Sequence, residues 1–318
     1  MSTLTRRLLS TTAFEHASAA EACSEIFQRF SGKPISVRKQ LLDANQIHLL
    51  SITLGRSETS NTAPLEGTPI PPGYHLVYFT PPVLEQELGR DGTDRTVNPL
   101  SPFTRRMWAG GELEWNQDPE LFLKVGQTVQ ETTRILSAEP KKLKAGGEMI
   151  VVGVEKTFEN EKGVALVDKR SWVFQKEITN ATQVPPKPAE KPLPEGTYSR
   201  DFCQTDVTLF RFSALTFNGH KIHYSPEWCR EVEGHRNSVV HGPLNLINIL
   251  DFWRDTARNG NVEAVPKSIA YRAMSPLYSG EPYRILLEKE GGGEKKDGWK
   301  AEIWDSFGKI SMKGAIVE

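Results

Sequence analysis

Apolar and polar positions run along this chain in two rhythms, and the order of the rhythms repeats. From Val37 to Leu54 the apolar residues Leu41, Leu42, Ile47, Leu49 and Leu50 recur at helical spacing, and Gly55 is a natural stop. Strand-like runs follow: Thr128 to Leu136, Met149 to Phe158 and Ala165 to Phe174 are rich in Val, Ile, Thr and aromatic residues and are parted by Lys, Gly and Glu turns. The pattern then restarts. Pro243 to Ala257 is a strongly apolar helix candidate, succeeded by strands at Ser268 to Met274, Tyr283 to Glu290, Trp299 to Trp304 and Lys309 to Val317, with Gly291-Gly292-Gly293 and Phe307-Gly308 as turns. A helix and then an antiparallel meander, twice over, predicts an α+β chain that uses one architecture twice, on element order alone and without a visible sequence repeat.

The two halves meet at Gln183 to Gly196, which holds five prolines. Proline lacks a backbone donor and favours extended conformation, so this stretch reads as a semi-rigid spacer between units at 30–180 and 198–318. A second irregular stretch, Leu54 to Pro72, is rich in Ser, Thr, Pro and Gly and reads equally as a substrate lid or as disorder.

Composition narrows the class. The 318 residues are 38% hydrophobic and 25% charged with a formal net charge of −1, the balance of an ordinary globular protein with no global field to draw nucleic acid or an anionic membrane. No apolar run approaches the ~20 residues of a membrane-spanning helix. Cys23, Cys203 and Cys229 are few, odd in number and unpatterned, which points to a reducing compartment and away from a disulfide framework or a zinc site. The start of the chain is biased: Arg6, Arg7 and several hydroxyls precede the first acid, Glu15, the composition of a mitochondrial transit peptide, expected over residues 1–25. Its C-terminal Ile-Val-Glu is no peroxisomal address.

Chemistry concentrates in Phe212 to His223 and in Val239-Val-His-Gly-Pro-Leu244. Asn218, His220 and His223 form a polar cluster suited to proton transfer, His223 having an unperturbed pKa of ~6.5. Each has a plainer reading as well: Asn218 as a helix cap, the histidines as satisfied structural side chains or, being three apart, as a metal pair lacking further ligands at zinc spacing. Pro243 suits a first helical turn and leaves the amide of Gly242 free at the positive end of the helix, where it can hold an oxyanion; the plainer reading of Gly242 is steric need. His241 is open between lining a pocket and packing. Arg105, Arg106 and Lys141-Lys-Leu-Lys144 read either as contacts for phosphates or an acidic partner, or as a solvated surface.

Phe212-Ser-Ala-Leu-Thr-Phe-Asn-Gly-His-Lys-Ile-His-Tyr224 resembles in register the signature aromatic-Ser-x-x-(Ser/Thr)-Gly-Asp-x-Asn-Pro-(Ile/Leu)-His of MaoC-type hydratases and dehydratases. Asn218 falls at the Asp position, His220 at the Asn position and His223 at the catalytic His, while Val240-His-Gly-Pro-Leu244 matches the opening of that family's central helix. Upstream, Arg105-Arg-Met-Trp-Ala-Gly-Gly-Glu-Leu-Glu-Trp115, Lys124-Val-Gly-Gln127 and Arg170-Ser-Trp-Val-Phe174 are similar to the non-catalytic N-terminal domain of two-domain relatives, the mesaconyl-CoA hydratases and fungal mitochondrial 3-hydroxyacyl-thioester dehydratases.

The resemblance implies two hot-dog folds packed as a pseudo-dimer, the second catalytic. It implies a hydro-lyase acting on an acyl-CoA or acyl-carrier-protein thioester, without metal or other cofactor, in the mitochondrial matrix if the leader is real and in the cytoplasm otherwise, with a homodimer open. His223 would move the proton, Asn218 orient water or the 3-hydroxyl, and Gly242 polarise the thioester, with Phe217, His220, His241 and Pro243 lining the substrate site. Asn in place of Asp removes a carboxylate base, and that departure leaves a thioester-binding scaffold as the alternative from a different class, beside the alternative substrate, a short dicarboxylyl-CoA such as mesaconyl-CoA.

Overall fold

The computed structural model describes residues 17–56, 62–143, 146–180, 182–291 and 298–318. Its strands form one ten-stranded antiparallel sheet: β1 (Ser36–Leu41), β2 (Arg105–Trp115), β3 (Thr128–Lys142), β4 (Glu148–Asn160), β5 (Gly163–Gln175), β6 (Tyr198–Cys203), β7 (Ser268–Ala273), β8 (Pro282–Glu290), β9 (Gly298–Asp305) and β10 (Ile310–Val317), in the order β1-β3-β4-β5-β2-β7-β10-β9-β8-β6. The first five strands come from the N-terminal half and the last five from the C-terminal half. They join where β2 pairs with β7, from Gly110 opposite Arg272 to Glu114 opposite Ser268. This is a double hot dog, and its fusion satisfies the one long edge each half would otherwise expose. The two remaining edges, β1 and β6, are short and carry Arg38, Lys39, Arg200 and Asp201, charges that discourage further pairing.

Helix Gly242–Ala257 is the axis of the C-terminal hot dog. Leu244, Leu246, Ile247, Ile249, Leu250 and Trp253 are all buried in the main apolar core. Among the buried polar residues on the same helix, Asp251 accepts from the Tyr74 hydroxyl of the N-terminal half at 3.0 Å and from Arg254 at 2.8 Å. A hydrogen bond across the halves at this depth ties both wraps to one helix.

Three expectations need correction. The segment from Val37 to Leu54 is two elements: β1 pairs with β3 up to Leu41, and α2 (Ala44–Thr53) starts only after Asp43, whose carboxylate caps the Gln46 amide at 2.9 Å. Val37 and Leu41 belong to the alternation of an edge strand, so their apparent fit to the helical period was accidental.

The expected leader, 1–25, runs into α1 (Ala19–Phe30). Ser18 and Glu21 close a capping box, and Ala19, Ala22, Cys23 and Ile26, spaced on one helical face, pack beneath β3 and β4 against Ala138, Ile150, Val152 and Val154. Residues 17–25 are therefore part of the folded body, and Arg6 and Arg7 lie outside the described residues. Thirdly, the stretch from Leu54 to Pro72 is no lid over the site: residues 57–61 are outside the described set, and those from 62 to 72 do not line the main cavity, Ile70 instead joining the core and bonding Leu123. From 182 to 196 the chain has no helix or strand and lies on the surface, with the Lys191 amide on the Ser306 carbonyl.

Candidate active site

The seam between the halves opens into a cavity of about 1120 Å³. Helix α3 (Asp206–Leu215) and the Gly242–Ala257 helix deliver the signature residues to it, and β2, β4 and β5 with the loop at 75–97 form the opposite wall. Phe217, Asn218, His220, His223, His241, Gly242 and Pro243 all line this one space.

His223 closes a 3-10 turn, Lys221–His223, behind α3. Its Nδ1 lies 2.7 Å from the Val239 carbonyl, an acceptor only, so Nδ1 carries the proton and donates it there. That fixes the tautomer and leaves Nε2 as a bare lone pair toward the cavity, the arrangement of a general base. Burial pushes the His223 pKa down to about 4, partly opposed by the hydrogen bond to Val239, so the ring is neutral at physiological pH. His241 stacks on it with ring centroids 3.6 Å apart, and Ser213 Oγ holds His241 Nε2 at 2.9 Å. His220 meets His223 edge to face at 5.4 Å. Burial also drives His220 and His241 well below the ordinary histidine pKa, so three neutral imidazoles share a space where three imidazolium ions would repel one another.

Asn218 is not the cap of the following 3-10 turn, whose N-cap is His220 without a side-chain bond; its Oδ1 accepts the His220 amide at 3.1 Å in an Asx turn. That contact leaves the side-chain nitrogen as a donor facing the cavity, able to hold a water or hydroxyl oxygen. Phe217, just before it, occupies the glycine position of the signature and has φ 47°, a left-handed backbone with a cost on the order of 1–3 kcal/mol for a non-glycine residue. Its ring is 64% exposed at the cavity mouth.

The steric reading of Gly242 holds. A Cβ there would sit 2.3 Å from Cε3 of Trp108, so no side chain fits. The Gly242 amide also opens the central helix at its positive end, where an oxyanion is favoured.

Several residues had no visible signal in the sequence. Asp91 belongs to a loop of the N-terminal half, yet its Oδ2 lies 3.7 Å from His220 Nε2 and its carbonyl accepts the Lys221 amide at 2.8 Å. The loop docks so closely that a Cβ on Gly92, at φ 82°, would meet the Gly219 carbonyl oxygen at 2.0 Å. Trp108 and Tyr271 meet edge to face at 5.3 Å across the seam. Only folding brings these together, since the spacing between halves carries no motif. Arg105 is neither solvated nor free for a phosphate: it pairs with Glu233 at 2.5 Å and with Gln175 at 3.0 Å.

Residues 73–279 match the family hydroxyacyl-thioester dehydratase type 2, a span that crosses both halves and the seam. The chain belongs to this family. It is 28% identical over 236 residues to mesaconyl-C(4)-CoA hydratase of Chloroflexus aurantiacus, covering 74% of this chain and 80% of that one. It is 26% identical over 244 residues to the mitochondrial hydroxyacyl-thioester dehydratase type 2 of Schizosaccharomyces pombe, covering 70% and 79%. Among solved structures, a MaoC-like dehydratase from Phytophthora capsici superposes with a TM-score of 0.63 at 16% identity, over 92% of this chain and 98% of that one, a likeness of fold. Membership in the family makes the chain a hydro-lyase of acyl thioesters.

Proposed function

We propose that this hydro-lyase adds water reversibly across C2=C3 of a 2-enoyl thioester, with His223 as the single acid/base. In hydration His223 Nε2 takes a proton from water while the oxygen bonds to C3, and the electron pair of the double bond moves into the thioester as an enolate. The Gly242 amide receives that negative charge, a donor worth roughly 3–4 kcal/mol in the transition state where such groups have been removed elsewhere. The proton held by His223 is then delivered to C2, so atoms and charge balance and the imidazole returns to its neutral state. Dehydration of a 3-hydroxyacyl thioester is the same path reversed. Asn218 offers its amide hydrogens to the water or 3-hydroxyl, and His241, held by Ser213, keeps the His223 ring in plane. Phe217, Pro243 and His220 complete the walls around the acyl thioester.

The observation that carries this reading is the hydrogen bond from His223 Nδ1 to Val239, which aims an unprotonated nitrogen into the shared cavity. The carrier, coenzyme A or carrier protein, is part of the proposal, as is a mitochondrial matrix location in the manner of the fission yeast relative. One substrate reading is a linear acyl chain of organellar fatty-acid synthesis; the other is a short dicarboxylyl-CoA, the class named by the Chloroflexus relative, and the cations set in the cavity wall support it. Loss of conjugated-thioester absorbance on adding purified protein to crotonyl-, longer enoyl- and mesaconyl-CoA tests the activity. Turnover of at least one is expected; binding of all with turnover of none would make the chain a thioester-holding scaffold.

A further inference from the structure

Most of the cavity lining is apolar, but a cluster of charged side chains is set into its N-terminal wall. Arg38, Lys156 and Arg170 line it opposite only two carboxylates of that cluster: Glu131 accepts from Arg38 at 2.7 Å and from Lys156 at 2.9 Å, and Asp168 binds Arg170 at 2.5 Å. His75, 3.3 Å from Asp168, has its pKa lowered by burial and stays neutral. The cluster formally sets three cations against two carboxylates, although burial lowers the pKa of Lys156.

A fourth cation, Arg106 of β2, stands apart. Among the described residues its guanidinium makes no hydrogen bond and no ion pair; it lies over the ring of Trp172, 5.3 Å from the centroid, which covers a face and leaves the donor edge open. Asp91 and Asp94 are near enough to influence it. Neither lies within 4 Å, and each is engaged with a threonine of its own turn, Thr93 and Thr96. Arg106 is half-buried, and a guanidinium partly withdrawn from water without a partner is stabilised by an anion delivered with the ligand.

The location selects which anion. Arg106 lies two residues before Trp108 on β2 and so on the same face of the strand, and Trp108 covers Gly242, which puts Arg106 on the cavity wall beside the signature residues. The phosphates of a thioester carrier lie a full pantetheine arm away from the reacting carbons. We propose that Arg106 is the specificity-determining residue of this site and anchors a carboxylate on the acyl group, so that the preferred substrates are enoyl thioesters bearing a second carboxylate. The inference rests on the hydro-lyase reading above and deepens it.

Fumaryl-CoA and crotonyl-CoA differ by a carboxylate in place of a methyl group, so the ratio of their kcat/KM values in the wild-type protein, Arg106→Met and Arg106→Lys isolates the anchor. The wild type is expected to prefer fumaryl-CoA, Arg106→Met to lower the ratio about tenfold or more, the size of a lost charged hydrogen bond, and Arg106→Lys to recover part of it. Should the methionine variant fail to fold by thermal melting, Arg106→Gln replaces it in the comparison. An unchanged ratio, or a wild type that hydrates crotonyl-CoA and ignores fumaryl-CoA, overturns the anchor and leaves the hydro-lyase standing. A wild type that hydrates neither these nor longer or methyl-branched enoyl thioesters overturns the hydro-lyase reading, and the anchor with it.

Discussion

His223 donates a hydrogen bond from Nδ1 to the Val239 carbonyl, and burial keeps the ring neutral. Burial lowers its pKa from the ordinary value of 6.5 to about 4. The sign is that of a group whose neutral form is favoured by folding: the base remains available as pH falls, until about 4, and stability is full above ~6.5 and lost as pH drops through that window. We therefore expect kcat/KM for hydration to be flat from pH 7 to about 5, while the melting temperature begins to fall below ~6.5. An acid limb in kcat/KM centred near 6.5 would contradict a buried, neutral base. Much of this was legible in the residues themselves. Asn218, His223 and Gly242 stood out because the signature is local, and their spacing on one turn and one helix start survives folding unchanged. The backbone strain at Phe217 and the open guanidinium of Arg106 were not legible, since a left-handed φ and a missing partner are properties of the tertiary surroundings.

At the scale of elements, the turn that carries His223 is held from outside its own half of the chain. The 3-10 turn at Lys221–His223 is braced by Asp91, whose carbonyl takes the Lys221 amide, and by the near-contact of Gly92 with Gly219. Gly92→Ala puts a methyl into the Gly219 carbonyl and strains a left-handed residue, so the loop must retreat from the turn. The expected result is a loss of about 1–3 kcal/mol in thermal unfolding together with a drop of at least tenfold in turnover. Full activity in that variant would show that the N-terminal loop does not position the histidines. Element boundaries explain what the sequence hid here. Long runs such as β4, β5 and the central helix were found almost to the residue because their periods persist. The strand β1, six residues long, was absorbed into the helix beside it, and β2 lay unseen because Gly110 and Gly111 interrupt its alternation at the point where β7 crosses.

Taken whole, the molecule uses its two halves for different purposes. The C-terminal hot dog contributes His223, Gly242 and the central helix; the N-terminal one contributes Trp108, Asp91 and a cavity wall with charged side chains set into it, and joins its partner through β2 and β7 and through the bond from Tyr74 to Asp251. The repeat of helix and meander gave this two-part plan away in the sequence, while the shared cavity could not be read there because its two walls are far apart along the chain. The claim on which the account turns is that His223 transfers the proton. Its most direct test is the turnover of the best enoyl-CoA substrate by His223→Ala beside the wild-type protein, with thermal melting as a check on folding. A fall in kcat of roughly 10²- to 10⁴-fold with the fold intact is the result expected. Wild-type turnover in the His223→Ala protein would contradict it and move the search for the base to His220 or His241.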